Sequence, residues 1–167
     1  MTEIPSQLQQ PQFRFCRIPT GKKFPPLDKE WQNKNNFAYD DPALVNHLIN
    51  GGNYGVCCGY GQLAVVDCDE QELAHAIEKL PRTFTTMSPN RKLPHYYFII
   101  PELRKKIIFK TDEKHLGELQ FQGQYVVGAG SLHPNGSRYA VIDDIPIAAI
   151  TLKQLLGVTQ DFKRTES

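Results

Sequence analysis

Leu63-Ala64-Val65-Val66-Asp67-Cys68-Asp69 is the stretch that decides the fold. Four apolar residues run directly into two acids separated by one residue, the pattern of a buried strand that ends at a site. Side chains alternate along a strand, so Asp67 and Asp69 point the same way, roughly 6.5–7 Å apart at Cα. Two carboxylates held that close repel each other unless a cation lies between them. Hard divalent ions such as Mg²⁺ take oxygen ligands, usually one or two carboxylates completed by phosphates. The plainer alternative is a strand dissolving into a polar turn, with both acids in water. Removing either acid is expected to relieve repulsion and to leave stability unchanged or slightly raised.

Upstream, Tyr54 to Cys58 forms a second strand, joined to the first by the turn Gly59-Tyr60-Gly61. Before it lies the clearest helix. Asp41-Pro42 supplies an N-cap and a first-position proline, Leu44, Val45, Leu48 and Ile49 make one apolar face, and Gly51-Gly52 ends it. Phe13 to Ile18 is a first strand. Downstream, Glu70 to Lys79 is a helix with Leu73, Ile77 and Leu80 on one face, closed by Pro81. The chain then turns β-rich, with strands expected at 83–87, 95–100, 107–110, 116–121, 124–127 and 138–142. A short helix from Thr151 to Leu156 follows, with Gly157 as its C-cap. Helices between strands early and strand upon strand late give an α+β domain with a mixed central sheet and flanking helices. Residues 1–12, rich in Gln and Pro, are expected as a disordered lead-in; 13–157 form one domain, and 158–167 a polar tail that frays from Lys163.

The 167 residues fit one domain with a substantial core, and 40% hydrophobic with 10% aromatic content is ordinary for a soluble protein. No apolar run approaches the ~20 residues of a membrane span. Met1 to Gln12 has neither the basic start nor the apolar core of a signal peptide, so an intracellular, cytoplasmic protein without a membrane partner is expected. Cys16, Cys57, Cys58 and Cys68 contain no Cys-x-x-Cys pair; buried reduced thiols are expected, and no zinc site. A net charge of +1 supplies no global field for nucleic acid, so phosphate binding must come from local patches.

Several further residues are candidates for a site. His95 opens the strand His95-Tyr96-Tyr97-Phe98-Ile99-Ile100 after a basic turn that holds Arg91 and Lys92. At a strand mouth beside two cations, it either holds a triphosphate or caps the strand and packs on Tyr97. Alternation in Gly117-Glu118-Leu119-Gln120-Phe121 sets Glu118 and Gln120 opposite Leu119 and Phe121, so Glu118 either faces water or joins a site. The small residues Gly128-Ala129-Gly130-Ser131, followed by Leu132-His133-Pro134-Asn135-Gly136, permit close approach by another chain segment or a ligand. The glycines fit neither the dinucleotide fingerprint nor the Lys-terminated phosphate loop.

Taken in order, these segments resemble the bifunctional DNA primase/polymerase (prim-pol) domain of the archaeo-eukaryotic primase superfamily, over about residues 17–145. The series runs through Gly21-Lys22-Lys23-Phe24-Pro25, Trp31, Asn53-Tyr54-Gly55-Val56, the Asp67/Asp69 strand, Leu80-Pro81-Arg82-Thr83, His95-Tyr96-Tyr97-Phe98, Gly117-Glu118-Leu119, Gly123-Gln124-Tyr125-Val126-Val127 and Ser131-Leu132-His133-Pro134-Asn135-Gly136. The resemblance implies an RRM-like catalytic core and template-directed nucleotidyl transfer on single-stranded DNA, to start or extend a primer from dNTPs or NTPs. It implies Asp67, Asp69 and Glu118 as ligands of two Mg²⁺ or Mn²⁺ ions, with Glu118 where the family commonly has Asp. His95, Arg91, Lys92, Ser131 and His133 would bind the nucleotide. Lys22, Lys23, Arg104, Lys105 and Lys106 are candidates for the template backbone, and a helicase domain or partner is common among relatives. Two departures bear on the phosphate contacts: Asn90-Arg91-Lys92-Leu93-Pro94 stands for a Gly-rich turn, and Gly-Ala-Gly-Ser for Ala-Pro-Pro-Ser. Two other classes remain open: a replication-initiation or nucleotide-binding module that keeps the fold without polymerising, and a metal-dependent nuclease. The nuclease lacks a general-base Lys or His next to the acids in sequence. Asp143 and Asp144 compete with Glu118 for the third carboxylate, although Asp-Asp-Ile-Pro reads as a turn.

Overall fold

The computed structural model describes residues 2–166; Met1 and Ser167, the ends of the expected lead-in and tail, lie outside them. In chain order the elements are β1 (Arg14–Ile18), α1 (Pro42–Ile49), β2 (Asn53–Cys57), β3 (Leu63–Cys68), α2 (Gln71–Ile77), β4 (Thr85–Met87), β5 (Pro94–Ile99), β6 (Ile107–Lys110), β7 (His115–Gln120), β8 (Tyr125–Val127), β9 (Ala140–Asp143), β10 (Ala148–Ala149), α3 (Leu152–Val158) and β11 (Lys163–Glu166). Strands β1-β2-β8 make a small sheet, and β11-β6-β7-β3-β5-β4-β9 a large one, with β10 added beside β5. Every pairing is antiparallel except β10 with β5, which makes the large sheet mixed. The class is α+β.

β3 lies inside the large sheet, between β7 and β5. Its residues 63–66 are apolar because both faces are covered there. Leu63 and Val65 pack with Phe15, Tyr54 and Tyr97 in a core shared with the small sheet. Ala64 and Val66 pack on the other face with Leu73 and Ile77 of α2 and Leu155 of α3. β2 and β3 do not form a hairpin, although only a Gly-rich turn separates them. At Gly59 (φ +95°) the chain passes 2.9 Å from Gln122 Cα, measured to where a Cβ would stand, and crosses from one sheet to the other.

α1 begins where its cap residues put it. The Asp41 carboxylate accepts the Ala43 N–H at 2.9 Å, with Pro42 in the first turn. Only Leu44 and Leu48 of its apolar face are buried; Val45 and Ile49 are exposed. α3 starts from a capping box between Thr151 and Gln154 and runs through Gly157, which lies inside the helix rather than capping it. The four cysteines are buried free thiols.

Both ends of the domain depart from expectation. The lead-in is packed: Ile4 and Leu8 are buried in the core shared by the sheets, and Thr2 Oγ1 donates to the Gly130 carbonyl at 3.1 Å. Its Gln and Pro content masked two apolar anchors four residues apart. The tail likewise is ordered as β11, which pairs with β6 from Lys163↔Lys110 to Glu166↔Ile107. Its four side chains are exposed, so no apolar pattern announced it. Among the described residues no helix is long and apolar enough to cross a membrane.

Candidate active site

Strand register assembles the site. On β3, Asp67 stands directly opposite His95 of β5 on one side and Glu118 of β7 on the other. Directly opposed residues share a face of the sheet, so the three form one row across three neighbouring strands. The row is on the face that carries Val65 and Tyr97, toward the small sheet. A cleft of about 320 Å³ opens there, lined by Lys23, Asp67, Asp69, Arg91, His95 and His133, with Ser88, Asn90, Tyr125 and Tyr139.

The two aspartates are electrostatically different. Burial works to raise the Asp67 carboxyl, but its hydrogen bond from His95 Nε2 at 3.1 Å and the charges of His95, Lys23 and His115 outweigh it. Asp67 is held below the ordinary carboxylate range. Asp69 goes the other way: burial and the neighbouring Asp67 charge lift it, and His115 and Arg91 only partly compensate. His115 Nε2 lies 3.0 Å from Asp69 Oδ2, and Arg91 Nη1 donates to the Asp69 carbonyl at 3.4 Å.

Two buried histidines hold unspent ring nitrogens beside the acids. His95 uses Nε2 on Asp67, and its Nδ1 has no partner. His133 Nδ1 accepts the Asn135 N–H at 2.9 Å, which places the ring proton on Nε2, and that Nε2–H is also without a partner. Tyr139 stands between the two rings, 6.3 and 5.8 Å away by centroids. Burial, with the charge of Asp67, pushes its hydroxyl up to about 12.

Glu118 is engaged by Lys106, whose Nζ lies 2.6 Å from Oε1, with His115 Nε2 at 4.0 Å from Oε2. It does not line the cleft. Each of the three acids therefore has a nitrogen partner. Among the described residues no three His, Cys, Asp or Glu side chains converge on one point as they stand. The donor set is of the type a hard divalent cation takes.

The remaining sequence candidates divide. Lys23 and Arg91 line the cleft. Lys92, in the left-handed region at φ +56°, lines a separate groove with Arg82, Tyr96 and Asp143. Ser131 is fully buried, and its Oγ accepts the Tyr54 N–H at 3.2 Å, a structural role. Lys22 is exposed outside the cleft. Arg104, Lys105 and Lys106 line a second pocket. Asp143 is tied to Arg82 at 2.8 Å, and Asp144 is exposed. His115, Tyr125 and Tyr139 escaped the sequence reading. Three residues apart on a regular strand, His115 and Glu118 would face opposite ways. The shift in register between β6 and β7 and the unusual backbone of Gly117 (φ +148°) bring them together.

The family model for the bifunctional DNA primase/polymerase, N-terminal domain matches residues 6–151, and the chain belongs to that family. Its match begins inside the N-terminal segment that packs into the core. No curated protein matches the chain.

Proposed function

We propose that this domain catalyses template-directed nucleotidyl transfer on single-stranded DNA, as a primase, a primer-extending polymerase or both, on an archaeo-eukaryotic primase-type core. Family membership supports the activity class. The observation that carries the site assignment is the row His95–Asp67–Glu118 across β5, β3 and β7, with Asp69 lining the same cleft as Asp67. Asp67, Asp69 and Glu118 would hold two Mg²⁺ or Mn²⁺ ions; when bound, these supply activation of a 3′-hydroxyl and charge for the departing pyrophosphate.

The chain's own groups do the positioning. His133 offers a Nε2–H whose tautomer is fixed by the Asn135 bond; it is buried in the cleft wall and is proposed to donate to a phosphate oxygen once the wall shifts to expose it. Lys23 and Arg91 add positive charge to the same cleft. His95, anchored on Asp67, lines the cleft and is proposed to contact the nucleotide. Tyr125 and Tyr139 form part of the cleft wall beside the acids. Lys22, Arg104, Lys105 and Lys106 are proposed to contact the template backbone.

Primed and unprimed single-stranded DNA, incubated with Mg²⁺ or Mn²⁺ and with dNTPs or NTPs, tests the proposal. Lengthened or newly started strands support it. Binding without synthesis would identify a replication-initiation or nucleotide-binding module, and shortened strands a nuclease.

A further inference from the structure

Lys106 belongs to two places. Its ammonium is the closest partner of Glu118, at 2.6 Å, yet the same residue lines a pocket of about 440 Å³ beside Arg104 and Lys105. No acid lines that pocket. One wall is Tyr60, fixed by donating to the Gln32 carbonyl at 2.7 Å and by accepting from Asn36 Nδ2 at 2.9 Å. Three successive cations beside an anchored phenol ring suit a single-stranded phosphodiester chain, whose phosphates take the charge and whose bases stack on aromatic faces.

The ion pair itself is mostly out of water. The Lys106 and Glu118 side chains are 20% and 24% exposed, so their attraction exceeds that of a surface pair, and an ammonium so engaged competes with any cation for the same oxygen. A lysine carries its charge on a flexible four-carbon stem and can exchange one anionic partner for another without moving the backbone.

Resting on the polymerase reading, we propose that Lys106 is a positioning residue that couples strand binding to cation binding: unliganded, it keeps Glu118 occupied, and a single-stranded DNA backbone in the basic pocket draws it away and frees the third carboxylate. The protein thereby completes its acid set only where a strand is present. Linkage makes the effect reciprocal, so the cation tightens strand binding by the same factor.

The test is Mn²⁺ binding by the full chain, followed by electron paramagnetic resonance of the free ion, with and without a saturating oligothymidylate whose own Mn²⁺ uptake is subtracted. The oligonucleotide should raise the affinity of the wild type roughly 5- to 100-fold, the usual span of such coupling. Lys106→Gln should bind Mn²⁺ more tightly than wild type without DNA and respond less than about twofold to it, as expected when the coupling is gone. Lys106→Arg, which keeps the charge, should retain the wild-type strand-free affinity. A Lys106→Gln protein with wild-type affinity and undiminished enhancement overturns the coupling, as does one that binds Mn²⁺ more weakly. Wild-type primer extension separates the levels: extension with no effect of Lys106→Gln sinks only the coupling, whereas absence of both extension and Mn²⁺ binding sinks the polymerase reading with it.

Discussion

Asp67 and Asp69 are two residues apart and oppositely placed electrostatically. Asp67, lowered in the folded protein by His95, contributes stability that is fully present above its ordinary value of 3.8 and is lost as pH falls through its folded value. Asp69 is raised, so the folded state binds its proton more tightly and loses stability as pH climbs from 3.8 through that higher value. The expectation that losing either acid relieves repulsion therefore divides. In chelator-treated protein at neutral pH, Asp67→Ala should cost about 1–3 kcal/mol by stranding the buried His95, whereas Asp69→Asn should leave the melting temperature unchanged or raise it. Calorimetry of both variants decides, and equal losses would contradict the split. Both substitutions should abolish synthesis under the proposed function. His95→Ala should weaken nucleotide binding more than strand binding, because His95 lines the cleft proposed for the nucleotide; parallel titrations that show equal losses would leave His95 a purely structural partner of Asp67. Glu118→Gln should reduce cation affinity and recover activity in part at high Mn²⁺. Asp143→Asn should act only through the surface contact with Arg82, and a dead Asp143→Asn beside an active Glu118→Gln would reverse the assignment.

Among the elements, β3 and α1 were legible because their information is local. An unbroken apolar run signals a strand covered on both faces, and Asp41-Pro42 fixes a helix start through one side-chain bond and one ring. The acids and His95 were legible as candidates for the same reason. What could not be read was register. Nothing local says that Asp67 meets His95 and Glu118 on opposite sides, that β2 and β3 part into different sheets, or that His115 turns back to Glu118. Gly117 enforces part of this arrangement. A side chain there would collide with the Asp67 carbonyl and Leu73, at a backbone angle L-residues rarely adopt. Gly117→Ala should therefore destabilise by about 1–3 kcal/mol and disturb the acids more than a surface glycine would. Gly123→Ala, with nothing near its Cβ position but a positive φ, is the comparison, with urea unfolding and Mn²⁺ binding as the two measurements. A Gly117→Ala protein matching Gly123→Ala in both would show that the bulge tolerates a side chain.

For the molecule as a whole, the segment before β1 matters as much as a core strand. Leu8 is fully buried between the sheets, so Leu8→Ala should cost about 2–5 kcal/mol, measured by denaturant midpoint. A loss below that range would mean that the segment is only loosely docked. The two sheets and the helices together enclose β3: a neighbouring strand on each side, α2 and α3 over one face and the small sheet over the other. Such a backbone opens only when everything around it opens. The amide protons of 64–67 should consequently be among the last to exchange with deuterated water, while those of the turn 88–93 and the loop 101–106, which carry the cations, should exchange early. Such a pattern would partition time across the molecule, with Asp67 a stationary reference and the positive side chains of 88–93 and 101–106 on segments that sample and settle around it.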